Sequence, residues 1–154
     1  MLALQILASA SYDDSIKIYE DDPDDEWYCF TTLKGHTSTV WSLAWSPNGQ
    51  YLASASDDRT IRIWKRISRT DFQTVHTLEG HDRAVYSVSW GVGKGNTENL
   101  GWLASTGSDG VVNVWEMTVR FHDAAFVFLH VQIGRRSEFE TQSDSQVNLG
   151  AQSL

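Results

Sequence analysis

Apolar and polar positions along this chain alternate in short runs separated by turn residues. Val40-Trp41-Ser42-Leu43-Ala44-Trp45 alternates and is rich in β-branched and aromatic residues, so it reads as a strand. Ser46-Pro47-Asn48-Gly49 then makes a turn, and Leu52 to Ser56 is a short strand of small residues. Asp57-Asp58-Arg59 supplies a tight turn into Thr60-Ile61-Arg62-Ile63-Trp64, a third strand with strict alternation, and Phe72 to Leu78 gives a fourth.

The same pattern recurs. Leu-Ala-Ser-Ala-Ser occurs at Leu7 to Ser11 and again at Leu52 to Ser56, and a variant, Leu-Ala-Ser-Thr-Gly, follows at Leu103 to Gly107. The offset of 45 residues between the first two copies also relates Leu33 to Leu78, Gly35-His36 to Gly80-His81, Ile18 to Ile63 and Tyr19 to Trp64. A fixed period of that length signals one supersecondary unit copied and stacked. Four short strands per unit, with Gly-His before the first and Trp ending the third, resemble the β-propeller blade of the WD-repeat family.

That resemblance implies an all-β fold of propeller blades. Residues 1–33 are expected to form a partial first blade, 34–78 a second, 79–133 a third with an irregular last strand drawn from Ala124 to Ile133, and 134–154 a disordered tail. A closed ring of ~4 to 8 four-stranded blades needs well over ~160 residues. The 154 residues here hold fewer than three complete blades, so an open arc is expected, with apolar end faces and unpaired strand edges that favour self-association or a partner.

The family resemblance also implies a hydrogen-bonded tetrad in each complete blade: His36, Ser54, Asp58 and Trp64 in the second, and His81, Ser105, Asp109 and Trp115 in the third. Burial would otherwise leave each of these polar groups unpaired. Ser54 is preferred to Ser56 because its equivalents are Ser9 and Ser105, whereas the equivalent of Ser56 is Gly107. In the first unit Asp13 remains, Tyr19 replaces the Trp, and no Gly-His precedes it. A His-Ser-Asp set also invites a hydrolase reading. The sets recur with the repeat, however, and no Gly-x-Ser-x-Gly elbow is present, so no catalytic residue is expected.

Net charge narrows the partners. At -8 the chain is a poor nucleic-acid binder, because phosphate contacts demand a basic surface. Its single cysteine, Cys29, excludes an internal disulfide and cannot alone build a metal or iron-sulfur site, so no cofactor is expected. The apolar start Leu2 to Ala10 lacks a basic n-region and is claimed by the repeat, and no run reaches membrane-spanning length, so no targeting segment and no membrane partner are expected. Glu20 to Glu26 holds six carboxylates in a hairpin loop, whereas the matching loop, Lys65 to Thr70, is basic. An attraction between exposed loops of this kind contributes only ~0 to 1 kcal/mol. Gly91 to Gly101 reads as a flexible insertion between the first and second strands of the third unit.

The likeness goes beyond the generic repeat. Leu7 to Tyr19, the acidic loop, Leu33 to Trp45 and Ser56 to Trp64 together resemble the WD-repeat subunits of the cytosolic iron-sulfur protein assembly machinery, with Tyr19 in place of Trp as part of the likeness. That family implies a seven-bladed propeller acting as a non-catalytic scaffold that helps deliver clusters to apoproteins, the clusters being held by other components. The implied partners are other subunits of the targeting complex and client apoproteins, in the cytoplasm and also the nucleus. The alternatives are a generic WD-repeat interaction adaptor, or a truncated product without the family function. Contacts are expected on the face carrying the Gly-His loops and the second-to-third-strand turns, at Thr37, Ser38, Asp57, Arg59, Asp82 and Arg83. Arg59 and Arg83 lead, since Arg is enriched at hot spots and presents a five-donor fork.

Overall fold

Tight turns between alternating runs force each strand to pair antiparallel with the next one in sequence. The computed structural model describes residues 5–21, 26–93, 99–119 and 126–133, and among them are eleven strands in three sheets. The first sheet is β1 (Ile6–Ala10), β2 (Ile16–Asp21) and β3 (Trp27–Leu33). The second is β4 (Val40–Trp45), β5 (Tyr51–Ser56), β6 (Thr60–Arg66) and β7 (Phe72–Glu79). The third is β8 (Val85–Gly91), β9 (Asn99–Gly107), β10 (Val112–Val119) and β11 (Phe126–Ile133). Each sheet keeps its strands in chain order, giving three up-and-down meanders that form an open, partial propeller.

Two expectations change in detail. The insertion of the third sheet is shorter than the sequence suggests, because β8 runs through Gly91 and β9 begins at Asn99, with Gly91 paired to Trp102. Gly101 sits inside β9 at φ 102, and a Cβ there would collide with the carbonyl oxygen of Gly91, so only glycine fits. The apolar run after Trp115 does form an edge strand, β11, paired from Val112↔Ile133 to Val119↔Phe126. The expected disordered tail, 134–154, and residues 22–25 of the acidic loop lie outside the described residues.

Alternation gives every sheet two faces, and the sheets stack in one sense. The forward face of the first sheet, with Ile6, Ala8, Ala10, Ile16 and Ile18, packs on the rear face of the second through Leu43, Leu52 and Trp64. The forward face of the second, with Ala53, Ala55, Ile61 and Ile63, packs in the same way on Val88, Leu103 and Trp115 of the third. Fully burying an Ile or Leu side chain stabilises by ~1.5 to 3 kcal/mol, so these two interfaces are the core. Polar bonds fix their register: the Val40 N–H donates to the Ser11 carbonyl at 3.1 Å, and the Val88 N–H donates to Ser42 Oγ at 3.2 Å.

Candidate functional site

The ends of the second strands carry small side chains, Ala53 to Ser56 and Ala104 to Gly107, and this leaves room for a polar network between the third-strand Trp and the loop before the first strand. In the second sheet the Trp64 Nε1–H donates to Ser54 Oγ at 2.9 Å, Ser54 Oγ lies 2.7 Å from His36 Nε2, and His36 Nδ1 lies 2.7 Å from Asp58 Oδ2. Ser54 is fully buried, and His36 and Trp64 nearly so. Gly35 precedes the histidine because a Cβ there would lie 2.8 Å from Arg62 Nη1 and 3.1 Å from the Trp64 ring. The third sheet repeats the arrangement: Trp115 Nε1–H donates to Ser105 Oγ at 3.2 Å, Ser105 Oγ is 2.9 Å from His81 Nε2, and His81 Nδ1 is 2.8 Å from Asp109 Oδ2.

Proton direction follows from this order. Burial pushes His36 below its ordinary value, against the raising effect of Asp58, so the imidazole is neutral. Burial works to raise Asp58, but hydrogen bonds from Thr60 and His36 win and bring it down to about 2. An ionised carboxylate can only accept, so His36 carries its proton on Nδ1 and donates it to Asp58; Nε2 then accepts from the Ser54 hydroxyl, whose oxygen accepts from Trp64. The serine oxygen is buried and occupied on both sides. The network is a chain of satisfied hydrogen bonds that fastens the Gly-His loop to the sheet.

The two oxygens of each aspartate divide the work. Oδ1 of Asp58 takes the backbone N–H and hydroxyl of Thr60, closing the turn, while Oδ2 takes His36 and the Thr37 N–H of the distant loop. Oδ1 of Asp109 takes the Val111 N–H, and Oδ2 takes His81 and the Asp82 N–H. Ser56, the alternative hydroxyl, instead donates to the Ser38 carbonyl and accepts the Asp58 N–H. Its counterpart is Gly107 because a Cβ there would lie 2.5 Å from the Ala84 carbonyl oxygen and 3.1 Å from His81.

Above the tetrads lies a rim of exposed loop residues. Thr37, Asp57, Arg59, Asp82 and Arg83 are exposed and Ser38 is half-buried; Ser38 Oγ donates to Asp57 at 3.3 Å, which brings the Gly-His loop and the tight turn of the second sheet together. Arg59 holds φ 73, the left-handed conformation that Gly110 adopts at the equivalent turn of the third sheet with φ 76.

Sequence reasoning did not find two aromatic members of this rim. Trp41 and Tyr86 are extra residues in β-bulges at the starts of β4 and β8, since Val40 pairs with Ser56 while Ser42 pairs with Ala55, and Val85 pairs with Gly107 while Ser87 pairs with Thr106. The bulges turn both rings outward, 49% and 50% exposed, into an edge-to-face pair with centroids 5.8 Å apart. A signal was present: Val40 and Leu43, like Val85 and Val88, are apolar at a spacing of three, which a regular strand cannot put on one face.

Charge between the first two sheets also differs from the expected weak attraction of exposed loops. Glu20, buried on the forward face, accepts from Arg69 Nη2 at 2.9 Å and Nε at 3.2 Å, and from the Tyr28 hydroxyl at 3.1 Å. The Arg69 hydrogen bonds outweigh burial and hold Glu20 below the usual carboxylate range. Cys29, opposite Tyr19 in the ladder, is exposed. Among the described residues no group of three or more His, Cys, Asp and Glu side chains is placed to hold a metal ion, and no helix is long and apolar enough to cross a membrane.

Comparison with known proteins adds to this geometry. The sequence model described as WD domain, G-beta repeat matches residues 27–65 and 72–116. The chain is 57% identical over 42 residues to the probable cytosolic iron-sulfur protein assembly protein 1 of Pyricularia oryzae, an alignment covering 27% of this chain and 9% of that protein. It is 51% identical over 41 residues to a probable cytosolic iron-sulfur protein assembly protein CIAO1 homolog of Ixodes scapularis, covering 27% of this chain and 13% of the relative. It is also 41% identical over 40 residues to nucleoporin SEH1 of Danio rerio, covering 26% and 11%. The matched stretches are thus small parts of much longer relatives.

Proposed function

The chain belongs to the WD-repeat family, whose matched repeats cover more than half of it, and from that premise we propose that it is a non-catalytic scaffold for protein–protein contacts in cytosolic iron-sulfur protein assembly. Its partners on this reading are other subunits of the targeting complex and client apoproteins, met in the cytoplasm and also in the nucleus. The likeness to relatives named as cytosolic iron-sulfur protein assembly proteins is the observation that carries the assignment. The paired tetrads support a scaffold over an enzyme, because the His, Ser and Asp groups that chemistry would need are occupied in holding two loops.

Docking is assigned to the rim. The Trp41–Tyr86 pair supplies exposed apolar area, and the exposed Arg59 and Arg83 supply donors on the loops, residue types that hot spots favour. Arg59 is the leading contact because a side chain held in the left-handed region costs ~1 to 2 kcal/mol at a turn where the third sheet uses glycine. Thr37, Ser38, Asp57 and Asp82 complete the contact face. With a net charge of -8, the ligand is a protein and not a nucleic acid.

A second reading, a WD-repeat adaptor of another assembly, is favoured by the likeness to nucleoporin SEH1. One experiment separates them: capture by the immobilised chain of purified targeting-complex subunits, with Arg59→Glu and Trp41→Ala in parallel. The assembly reading expects saturable capture, weakened at least tenfold by either substitution. Absence of capture by the wild-type chain moves the assignment to the adaptor.

A further inference from the structure

The connection between β6 and β7 carries chemistry that docking at the rim does not use, and it lies at the opposite end of the strands from the tetrads. Ile67 to Asp71 are all exposed. Their hydrogen bonds are short-range and face solvent: the Ile67 and Ser68 N–H groups donate to the Asp71 carbonyl, and Ser68 Oγ accepts the Asp71 N–H at 3.1 Å. Arg66 clamps the loop, its Nε donating to the Ser68 carbonyl and its Nη2 to the Arg69 carbonyl, both at 3.2 Å. Such a loop opens at little cost, because Ile67, its apolar member, is already 51% exposed.

Two features coincide there. Lys65 and Arg66 stand three and two residues before Ser68, and Arg69 follows it, so the hydroxyl is presented between cations. Cations just N-terminal to a hydroxyl are what the acidic substrate cleft of a basophilic Ser/Thr kinase reads, through charge-assisted hydrogen bonds. The neighbour of Ser68 is also the residue that crosses the seam, since Arg69 donates to Glu20 of the first sheet, whose side chain is 1% exposed. The corresponding connection of the first sheet, Glu20 to Glu26, is acidic and has no hydroxyl residue, so this combination is not a property of the repeat.

We propose that Ser68 is a phosphorylation site for a basophilic Ser/Thr kinase, and that the phosphate loosens the seam between the first and second sheets by taking Arg69 from Glu20. In the step, Ser68 Oγ attacks the γ-phosphorus of a magnesium-bound nucleoside triphosphate. The Oγ–P bond forms, the bond from the γ-phosphorus to the bridging oxygen breaks, the hydroxyl proton passes to the kinase's base, and the nucleoside diphosphate leaves. The product sets about two negative charges and three strong acceptor oxygens beside Arg69 in the chain. The Arg69 side chain is 59% exposed and can turn to the phosphate, whereas Glu20 is fixed in the seam and is left with the Tyr28 hydroxyl alone.

The test incubates the full 154-residue chain with the purified catalytic subunit of cyclic-AMP-dependent protein kinase and magnesium ATP, followed by intact mass and phosphopeptide mapping. The expected result is a phosphoryl group mapped to Ser68 and missing from Ser68→Ala. Arg66→Gln removes both a cation the kinase reads and the clamp on the loop. Recognition through that cation lowers kcat/KM at Ser68 about tenfold or more, the worth of one charge-assisted hydrogen bond; an unchanged or faster rate contradicts the site. The effect on the seam is read in urea: phosphorylation lowers the unfolding midpoint of the wild-type chain and leaves that of Arg69→Ala, which has no pair to lose, nearly unchanged. Glu20→Gln serves as the same control if circular dichroism finds Arg69→Ala unfolded. Incorporation that survives in Ser68→Ala at the wild-type level, no incorporation, or equal midpoint shifts with and without the pair overturns the inference.

Discussion

The first and second sheets carry nearly the same motif, Leu7 to Tyr19 against Leu52 to Trp64, and use it differently. Oδ1 of Asp13 and Oδ1 of Asp58 both close the local turn, onto Ser15 and Thr60. Among the described residues, Asp58 of the two has a histidine above it, and its second oxygen reaches a distant loop. Asp13 stays exposed while the Asp58 side chain is 7% exposed. The motif alone therefore specifies a turn. The network needs the Gly-His loop and the Trp as well, and it converts a local turn into a long-range tie.

The sharpest way to break that contrast is to remove the carboxylate. Asp58→Ala leaves the His36 donor buried and unpaired, together with the Thr37 N–H, and should cost ~2 to 4 kcal/mol in urea denaturation; Asp13→Ala should leave the midpoint almost unchanged. Ser54→Ala, which strips partners from both Trp64 and His36, should cost about 2 to 4 kcal/mol. The Ser9→Ala control has Tyr19 where the second sheet has Trp64, so no indole N–H is stranded, and it should cost less.

Acid should separate the sheets too. His36 has a folded value below its unfolded one, so the unfolded chain binds the extra proton, and stability falls as pH drops below the unfolded value of about 6.5. Asp58, down at about 2 against 3.8 when unfolded, adds stability that is complete above the unfolded value and lost between them, on the order of 2 kcal/mol. In His36→Gln the loss between pH 6.5 and 5 should shrink, as thermal melts across that range would reveal.

Smaller effects sharpen the comparison at the seam between the two sheets. Arg69→Ala leaves Glu20 buried with only the Tyr28 hydroxyl and should lower the urea midpoint by less than Ser54→Ala does, since Arg69 itself is largely exposed. Arg59→Gly should stabilise by a few tenths to ~1 kcal/mol by relieving the left-handed strain, while weakening partner capture.

Much of the fold was legible because its determinants are local. Alternation, the turn dipeptides and the 45-residue offset name strands and their antiparallel order without reference to distant residues. The four groups of each tetrad could be named for the same reason, by family pattern. What escaped depended on geometry between elements. The outward turn of Trp41 and Tyr86 comes from bulges whose apolar spacing of three was read as ordinary alternation. The Glu20–Arg69 pair was read as a weak loop attraction because nothing in the sequence says that Glu20 faces into the next sheet. The extent of β8 and β9 hid inside a glycine-rich stretch that looks like loop, where Gly101 instead permits close strand approach.

The central claim is that the tetrads, and not the shared motif, make the second and third sheets stiff supports for the rim. Native-state hydrogen exchange tests it directly. The account predicts that the indole N–H of Trp64 and Trp115 and the amides of β5 and β6 exchange only through the most costly openings of the molecule, well slower than those of β1 and β2. Equal protection of the first and second sheets, or rapid exchange of the two indoles, would contradict it.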